Sequence, residues 1–265
     1  MIAPLFAREF KGGLPAAAAI FAVLALYIVC IIYMSDPETS QMLEDLKSAM
    51  PELYDAFGMG HDTTTLTGFM LNYLYGFLLT LLPLVLVMLL VNRMVVKPIA
   101  TGSLAYALAS PHGRGSVLGS LAGAAAAVLA VVLAAVIASE MGCGMVLYPN
   151  DLDAAALLRA NAGLAALWLF MLGVCLLSAA VFAKGPLALW AGGGFCLAEF
   201  LVQMVAQMGD DLADAQYATF FTLFDPYGLA AGESDAALAA CALAVGGIAL
   251  IAVAVAVFRR RDLAL

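Results

Sequence analysis

Few side chains in this sequence have the types and spacing that catalysis requires. The motifs G-x-x-x-x-G-K-[ST] and H-E-x-x-H are both missing, so neither a phosphate-binding loop nor a helical zinc site is expected. His61 and His112 stand alone in polar segments, and each is interpreted as a solvated loop residue. The five cysteines have no C-x-x-C spacing, which disfavours a disulfide or metal framework. We therefore predict no enzyme activity and no cofactor or metal of the chain's own.

Glu199 is the ionisable residue that the sequence places within an apolar run, shortly after Gly192, Gly193 and Gly194. A carboxylate at the centre of a bilayer costs at least about 2.5–3.5 kcal/mol on insertion scales, so it should face protein or a water-filled cavity. Two interpretations stay open: Glu199 lines a translocation path, or it makes a protonated or hydrogen-bonded packing contact. The three glycines would allow either close helix approach or a local break.

Composition places most of the chain in a lipid bilayer. Of the 265 residues, 65% are hydrophobic and only 11% are charged, and the mean hydropathy is +1.03. A soluble domain of this size carries about 25% charged residues. One globular core cannot bury so much apolar surface, so the bilayer must be the main solvent. The sequence predicts an all-α polytopic membrane protein, with residues 1–265 forming a single transmembrane domain.

Six apolar runs are long enough to cross a bilayer, which takes about 20 residues. They cover approximately residues 15–34, 66–91, 116–139, 155–182, 187–208 and 236–258. Pro83 is expected to interrupt the second of them. For the first twelve residues we predict a separate amphipathic helix lying in the membrane interface, because Ile2, Phe6 and Phe10 share one helical face.

Basic residues predict the orientation of the chain in the membrane. Lys47 and Arg159 flank one face, whereas nine basic residues flank the other: Arg8, Lys11, Arg93, Lys97, Arg114, Lys184, Arg259, Arg260 and Arg261. Both termini are therefore expected in the cytoplasm of a multi-pass protein of the cell membrane. All acidic residues except Glu9, Glu199 and Asp262 are assigned to the outer side, Glu140 among them.

Two segments on the predicted outer side are more than connectors. Residues 35–65 contain two proline-started amphipathic patterns, which predict one or two helices lying over the outer leaflet. Residues 209–235 are too apolar for a hydrated loop and too short to span a membrane. We expect this second segment to dip into the interface or to line an outer opening.

Small residues mark a helix-packing surface at the start of the third span. Gly115, Gly119 and Gly123 recur at every fourth position, and such a stripe lets helix backbones approach closely in lipid. Gly246 and Gly247 offer a similar surface on the last span. Packing within the chain is the favoured interpretation of these glycines, and an interface between subunits is the alternative.

The link between the second and third spans carries three basic residues, Arg93, Lys97 and Arg114. A short helix is predicted over residues 99–110, and Pro111 is expected to stop it. A polar-ended helix on the basic side of a membrane protein is a place where a cytoplasmic partner can bind. The alternative is a simple connector that lies on the inner leaflet.

The motifs of this link resemble, in their order, the inner segment of type-2 ABC transporter permeases, the membrane subunits of ABC exporters. In that family a threonine–glycine pair opens a short coupling helix, and a proline, a basic residue and the next span follow. The residues to which the resemblance assigns contact with an ATPase are Thr101, Gly102, Leu104, Tyr106, Leu108, Pro111 and Arg114. The N-terminal helix, the six spans and the sequence Phe-Arg-Arg-Arg-Asp at 258–262 also fit, so the resemblance covers essentially the whole chain.

This resemblance implies a mechanism and a set of partners. Two permease subunits, identical or paired with a homologue, would assemble in the lipid with two separate cytoplasmic ABC ATPase subunits. The ATPases would bind ATP and Mg²⁺, and their closure would drive export of an amphipathic drug, antimicrobial peptide or lipid-like compound. Nucleic acid is not an expected partner.

Two alternatives from other classes stay open. A secondary transporter or channel subunit would need no ATPase, and it predicts more intramembrane charges than Glu199 alone. A membrane enzyme or a non-transporting assembly subunit predicts clustered polar residues at one depth.

Overall fold

The computed structural model describes residues 2–59, 65–104, 113–149, 151–182, 185–207 and 215–260. These residues are mainly helical and contain no β-strand, so the predicted all-α architecture is confirmed for this part of the chain. The helices are α1 (Ala3–Met34), α2 (Pro37–Ala49), α3 (Pro51–Ala56), α4 (Leu66–Met70), α5 (Leu78–Val91), α6 (Lys97–Ala100), α7 (Arg114–Leu147), α8 (Ala154–Val181), α9 (Gly185–Ala206), α10 (Pro226–Ala231) and α11 (Ser234–Arg260). Further turns are the π-helical Leu71–Tyr75 and Asn92–Val96 and the 3₁₀ turns at residues 215–218 and Phe220–Leu223.

Six stretches of the described chain are long and apolar enough to cross a membrane, which confirms the predicted number of spans. They are Ala3–Met34, Leu78–Ala100, Arg114–Leu147, Ala154–Val181, Pro186–Ala206 and Ser234–Arg260. The third has 34 residues and, at a rise of about 1.5 Å per residue, is about 51 Å long. It continues well past its predicted end at residue 139, and this extension contains Glu140.

The N-terminal residues differ from the prediction of a separate amphipathic helix. They form the first turns of α1, which continues without a break to Met34. Gly12 and Gly13 do not end the helix because both are packed: Gly12 lies against the Arg93 side chain, and Gly13 lies against Leu90 and Val128. Helical hydrogen bonding therefore continues through the point where the sequence had suggested a junction.

The second span is broken at a different place from the one predicted. Pro83 is buried inside α5, and the helix runs through it. The discontinuity lies at Gly76 and Phe77, between the first π-helical turn and α5, where Phe77 has φ −123° and ψ −61°. A side chain at Gly76 would clash with the Phe57 carbonyl oxygen and would lie 3.2 Å from the Gly58 Cα, so the segment after α3 packs directly on the break.

Successive long helices alternate in direction, which gives the bundle two chemically different ends. We call the end that contains Arg8, Lys11, Arg93, Lys97, Arg114, Arg259 and Arg260 the basic end. The opposite, acidic end carries α2, α3 and the segment from residue 215 to Glu233. Contacts between neighbouring helices match this arrangement: Gly115 lies against Arg259 at the basic end, and the Asp153 amide donates to the Thr67 hydroxyl at the acidic end.

Helix α8 lies at the centre of the bundle and contacts α5, α7, α9, α10 and α11. Its Trp168 is among the largest fully buried side chains of the described residues. A close backbone approach to α11 is at Gly173, where an added Cβ would lie 2.8 Å from the carbonyl oxygen of Gly247. The predicted small-residue contact of the last span is therefore made within the chain, against α8.

The glycine stripe of the third span is only partly in contact with another helix. An added Cβ at Gly115 would lie 2.6 Å from Cδ of Arg259 and 3.3 Å from Val255, both in α11. An added Cβ at Gly119 would meet no atom of the described residues within 4 Å. The packing predicted for this stripe thus occurs at Gly115, whereas open space adjoins Gly119.

Candidate functional site

A cavity of about 510 Å³ opens at the acidic end of the bundle. Ligand pockets in proteins commonly have volumes of about 300–1,000 Å³. Its lining residues come from distant parts of the sequence and include Phe200, Gln203, Gln207, Phe221 and Tyr227, while Tyr75 lies at the same wall and is itself 0% exposed. The cavity therefore offers both apolar surface and hydrogen-bonding groups to a bound molecule.

The break in the second span forms one wall of this cavity. Gly76 and Thr80 line it together with Tyr75, and Gly58 approaches from the segment after α3. Two carbonyl groups beside the break are satisfied by side chains. The Thr80 hydroxyl donates to the Tyr75 carbonyl oxygen at 3.1 Å, and the Trp168 indole N–H donates to the Leu79 carbonyl oxygen at 2.9 Å. Such partners allow a membrane helix to stay broken without leaving polar backbone groups unpaired.

A buried polar cluster lies behind Tyr75. Glu140 of α7 and Asn161 of α8 are 0% and 1% exposed. The Asn161 amide donates to Oε2 of Glu140 at 2.8 Å, to the Tyr75 hydroxyl at 2.6 Å and to the Leu157 carbonyl oxygen at 3.0 Å. The Tyr75 hydroxyl in turn donates to Oε2 of Glu140 at 3.1 Å. Three helical segments are thus joined by side chains inside the protein.

Two oxygen atoms of the cluster have no hydrogen-bond partner among the described residues. They are Oε1 of Glu140 and Oδ1 of Asn161, and both are buried. A buried polar atom without a partner is unusual in folded proteins and calls for a physical explanation. The cluster therefore stands out as a candidate site for a small positively charged ligand.

The cluster was not predicted from the sequence, because Glu140 was assigned to the outer side, beyond the third span. A usable signal was present: Met141, Cys143, Met145, Val146 and Leu147 continue the apolar run after Glu140. A carboxylate followed by seven largely apolar residues fits a helix interior better than a hydrated loop. Tyr75 and Asn161 gave no comparable signal, since neither residue type is unusual within an apolar span.

The segment before the last span closes the cavity from the other side. The Asp225 carboxylate caps α10 by accepting from the amides of Tyr227 and Gly228. The Tyr227 hydroxyl donates to Oδ1 of Asn72 at 3.0 Å, and burial, together with the nearby Asp225 charge, raises the pKa of Tyr227. Of the two expectations for residues 209–235, the lining of an opening matches the described part of this segment.

Glu199, the predicted path residue, lies outside this cavity. It faces a separate groove of about 370 Å³ that Phe170, Phe195 and Phe220 line. Glu199 is half-buried, and its side chain makes no hydrogen bond or ion pair to any described residue. Packed rings divide the groove from the cavity: Phe220 and Phe221 stack at 4.3 Å, and Phe221 contacts Phe200 at 5.6 Å. The preceding glycines do not break α9, and Gly192 packs closely against α8.

At the basic end, the predicted ATPase contacts begin where α6 ends. Thr101 is exposed and donates to the Lys97 carbonyl oxygen at 3.0 Å, and Gly102 adopts φ +71°, which stops the helix. Leu104 is 4% exposed and packs into the bundle core. The predicted helix over residues 99–110 is therefore not continuous through Gly102, and the rest of that prediction, with Tyr106, Leu108 and Pro111, lies outside the described residues.

Arg114 begins α7 and lines a cleft of about 440 Å³ at the basic end. Gly115, Gly119 and Arg259 contribute to the same cleft, so basic groups from the third and last spans lie close together. Arg114 is half-buried, with its charge placed at the edge of the bundle where the link from α6 arrives.

The fold and these sites define the protein's class as a helical multi-pass membrane protein with a cavity at one end of its bundle. Within the described residues, no group of three or more His, Cys, Asp or Glu side chains could hold a metal ion. In comparisons with known proteins, no protein-family model and no curated protein matches the chain. The resemblance to type-2 ABC permeases thus stays a prediction.

Proposed function

We propose that this chain is the membrane-spanning permease subunit of an ATP-driven ABC exporter. It would couple ATP hydrolysis by a separate ATPase subunit to the export of an amphipathic substrate. The observation that carries this proposal is the turn at Thr101 and Gly102, which ends the second span at the basic end and leads to the third.

The turn suits the transmission of force from a partner. Thr101 and Ser103 are exposed, whereas Leu104 is anchored in the core, so the link is fixed to the bundle at one point and presented to solvent at another. Helix α7 begins ten residues after Leu104, at Arg114. A partner that binds the link would therefore act on the second and third spans together.

The N-terminal turns of α1 support the same docking face. The Ile2 amide donates to the Ser120 hydroxyl of α7 at 2.6 Å, and Gly12 packs against Arg93. The start of the chain is thereby held beside the link between the second and third spans. Because basic residues favour the cytoplasmic side, we place this end and both termini in the cytoplasm of a cell-membrane protein.

In this proposal the catalytic chemistry belongs to the partners. The ATPase subunits would bind ATP and Mg²⁺, and this chain would contribute no catalytic residue. The cavity at the acidic end would receive the substrate on the outer side. Its aromatic rings, such as Phe200 and Phe221, with the amides of Gln203 and Gln207, suit a molecule that has both apolar and polar parts.

A second permease subunit is part of the proposal. Glu199 needs protein or water beside it, because a carboxylate that faces lipid is costly. The surface of α9 also exposes large apolar side chains, with Trp190 61% and Leu201 52% exposed. A partner subunit, either identical or homologous, that covers this face would place Glu199 beside the translocation path.

Co-purification tests the coupling: we expect the tagged chain to bring down an ABC ATPase, and a phosphate-loop ATPase encoded in the neighbouring reading frame is the first candidate to look for. The double variant Arg114→Glu with Tyr106→Asp should lower ATPase recovery and transport at least about tenfold, as expected when contacts worth about 1.4 kcal/mol are lost. Lys47→Glu, a charge reversal at the opposite end, should leave both unchanged. A chain that binds no ATPase, or a double variant that transports normally, would exclude the coupling.

An ATPase-independent secondary transporter is the second candidate, and Glu140 favours it. This alternative requires more ionisable groups within the spans than Glu199, and Glu140 is such a group, in the helix of the third span. Because the cluster around Glu140 is fully buried, it suits a bound ion better than the substrate of a membrane enzyme. Transport by the purified chain in liposomes without ATP, driven by an ion gradient, would identify this second candidate.

A further inference from the structure

The buried carboxyl group of Glu140 has no role in the proposed exporter mechanism, and its charge needs an explanation. It is 0% exposed, and the groups that bond to it are the neutral side chains of Tyr75 and Asn161. An isolated buried carboxylate is far more costly than a buried neutral polar group. A positive charge must therefore accompany Glu140 inside the bundle.

No described basic side chain supplies that charge. Helices α1, α5 and α11 also pack on α7, yet none of their described side chains bonds to Glu140. Arg159, a basic residue of the acidic end, donates instead to the carbonyl oxygens of Leu229 and Ala230. The compensating charge must come from a bound cation or from a proton.

The geometry of the cluster disfavours a metal ion. The Asn161 amide donates to Oε2 of Glu140 and to the Tyr75 oxygen, so its hydrogens would face an ion placed beside those atoms. The unpartnered oxygens are one on Glu140 and one on Asn161. Hard cations such as Mg²⁺ and Ca²⁺ take about six or more oxygen ligands, which this pair cannot provide.

We infer that Glu140, Asn161 and Tyr75 form a proton-binding site at the wall of the acidic-end cavity. The proton forms an O–H bond with the Glu140 carboxylate, whose charge is cancelled, and the hydronium ion that supplies it becomes water. In the carboxylic acid, Oε2 still accepts from the Tyr75 hydroxyl and the Asn161 amide, and Oε1 is available to carry the proton. This site belongs to the chain itself and does not depend on an ATPase.

The break at Gly76 and Phe77 gives this site a link to conformation. Tyr75 immediately precedes the break, lines the cavity and bonds to Glu140, so it separates the carboxyl from the cavity. Broken membrane helices are a common location of ion sites in transporters. The protonated acid favours the closed cluster, in which Tyr75 covers Glu140. The carboxylate would gain hydration if Tyr75 moved away. A higher pH at the acidic end therefore favours opening of the contact between Tyr75 and Glu140.

Infrared spectroscopy of the purified chain in lipid nanodiscs tests the proton directly. At neutral pH we expect a carbonyl stretching band of a protonated carboxyl group that moves to lower frequency in D₂O. The band should vanish in Glu140→Gln, which is also expected to fold because it mimics the neutral acid. Glu199→Gln, the matched substitution in the separate groove, should retain the band.

Two results would overturn the assignment. One is that Glu140→Gln removes the bands of an ionised carboxylate from the wild-type spectrum and leaves the protonated carboxyl band unchanged. The other is a shift of those carboxylate bands when choline is replaced by Na⁺, which would identify a metal ion instead.

If Glu140→Gln does not fold, Asn161→Leu replaces it. Loss of the amide donor should raise the frequency of the protonated carboxyl band, and an unchanged frequency would count against Glu140 as the proton carrier. The measurement needs no ATPase, so its outcome is separate from that of the coupling experiment.

Discussion

The two ends of the bundle differ in how their residues are held. At the acidic end, side chains and backbone groups join distant segments: Tyr227 bonds to Asn72, and the Asp153 amide bonds to Thr67. At the basic end, the Ile2 amide bonds to Ser120, but an added Cβ at Gly102 or Gly113 would meet no atom of the described residues within 4 Å. Among the described residues, the acidic end therefore has an extensive set of side-chain hydrogen bonds, whereas the link after α6 at the basic end has open space beside two of its glycines.

This difference indicates a division of roles. A cavity that binds a molecule needs walls of fixed geometry, which interlocked side chains provide. A docking face needs accessible groups whose contacts are completed by a partner, and exposed residues such as Thr101 and Ser103 meet that need. Substitutions at the acidic end should thus mainly change the stability of the isolated chain, whereas those at the basic end should mainly change binding.

The largest effect is expected for Gly76→Leu at the acidic end. The new side chain would have to displace the backbone at Phe57 and Gly58, which cannot move as a flexible side chain can. Overpacking of this kind costs about 1–3 kcal/mol, and we expect the upper part of that range. Thermal unfolding of the purified chain in nanodiscs measures the loss.

The matched control is Gly119→Leu, a helical glycine towards the basic end with open space beside it. Its unfolding midpoint should stay close to that of the wild type. Equal destabilisation by the two substitutions would contradict the proposed difference between the ends.

A smaller effect is expected for Asn161→Leu. It removes the amide that donates to Glu140 and Tyr75, and a buried group left without its partner costs about 1–3 kcal/mol. Asn92→Leu, nearer the basic end, is the control, because the Asn92 side chain has no hydrogen bond to a described residue. If the same unfolding assay ranks Asn92→Leu as the more harmful, the buried cluster does not contribute as we infer.

The smallest effect on stability is expected for Thr101→Val at the basic end. The Thr101 hydroxyl is exposed and bonds locally to the Lys97 carbonyl oxygen and to Ser103, so its loss should change stability by less than about 0.5 kcal/mol. Its effect should appear instead as weaker ATPase recovery in co-purification. A large shift of the unfolding midpoint would show that this turn stabilises the bundle itself.

The spans could be predicted because each apolar run carries its own signal. Their length and composition already exclude a soluble fold, and the structure has six candidate spans, although the second covers Leu78–Ala100 and not residues 66–91. The position of the helix break could not be obtained in this way. Proline is the familiar sign of a break, yet Pro83 lies inside α5, whereas the break depends on backbone packing at Gly76 by a segment nearly twenty residues earlier in the chain.

The candidate sites likewise could be predicted only where the signal lies within one stretch of sequence. Glu199 was identified from sequence because one charge in an apolar run is visible without knowledge of the fold. The cluster of Tyr75, Glu140 and Asn161 was not, since it requires three helical segments to meet. The turn at Gly102 was not predicted either, because the sequence favoured one helix over residues 99–110, and the structure adds that Leu104 packs into the core.

The contact between Gly173 and Gly247 bears on how the protein is made. It joins α8 to α11, which form the most extensive helix–helix contact among the described helices although α9 and α10 separate them in sequence. During synthesis α8 is complete before α11 exists, so its glycine face must remain against lipid until the last helix inserts. Insertion of α11 would therefore be the step that fixes the central helix in place. A nascent chain halted before that step would contain the earlier spans but would lack the contact between α8 and α11.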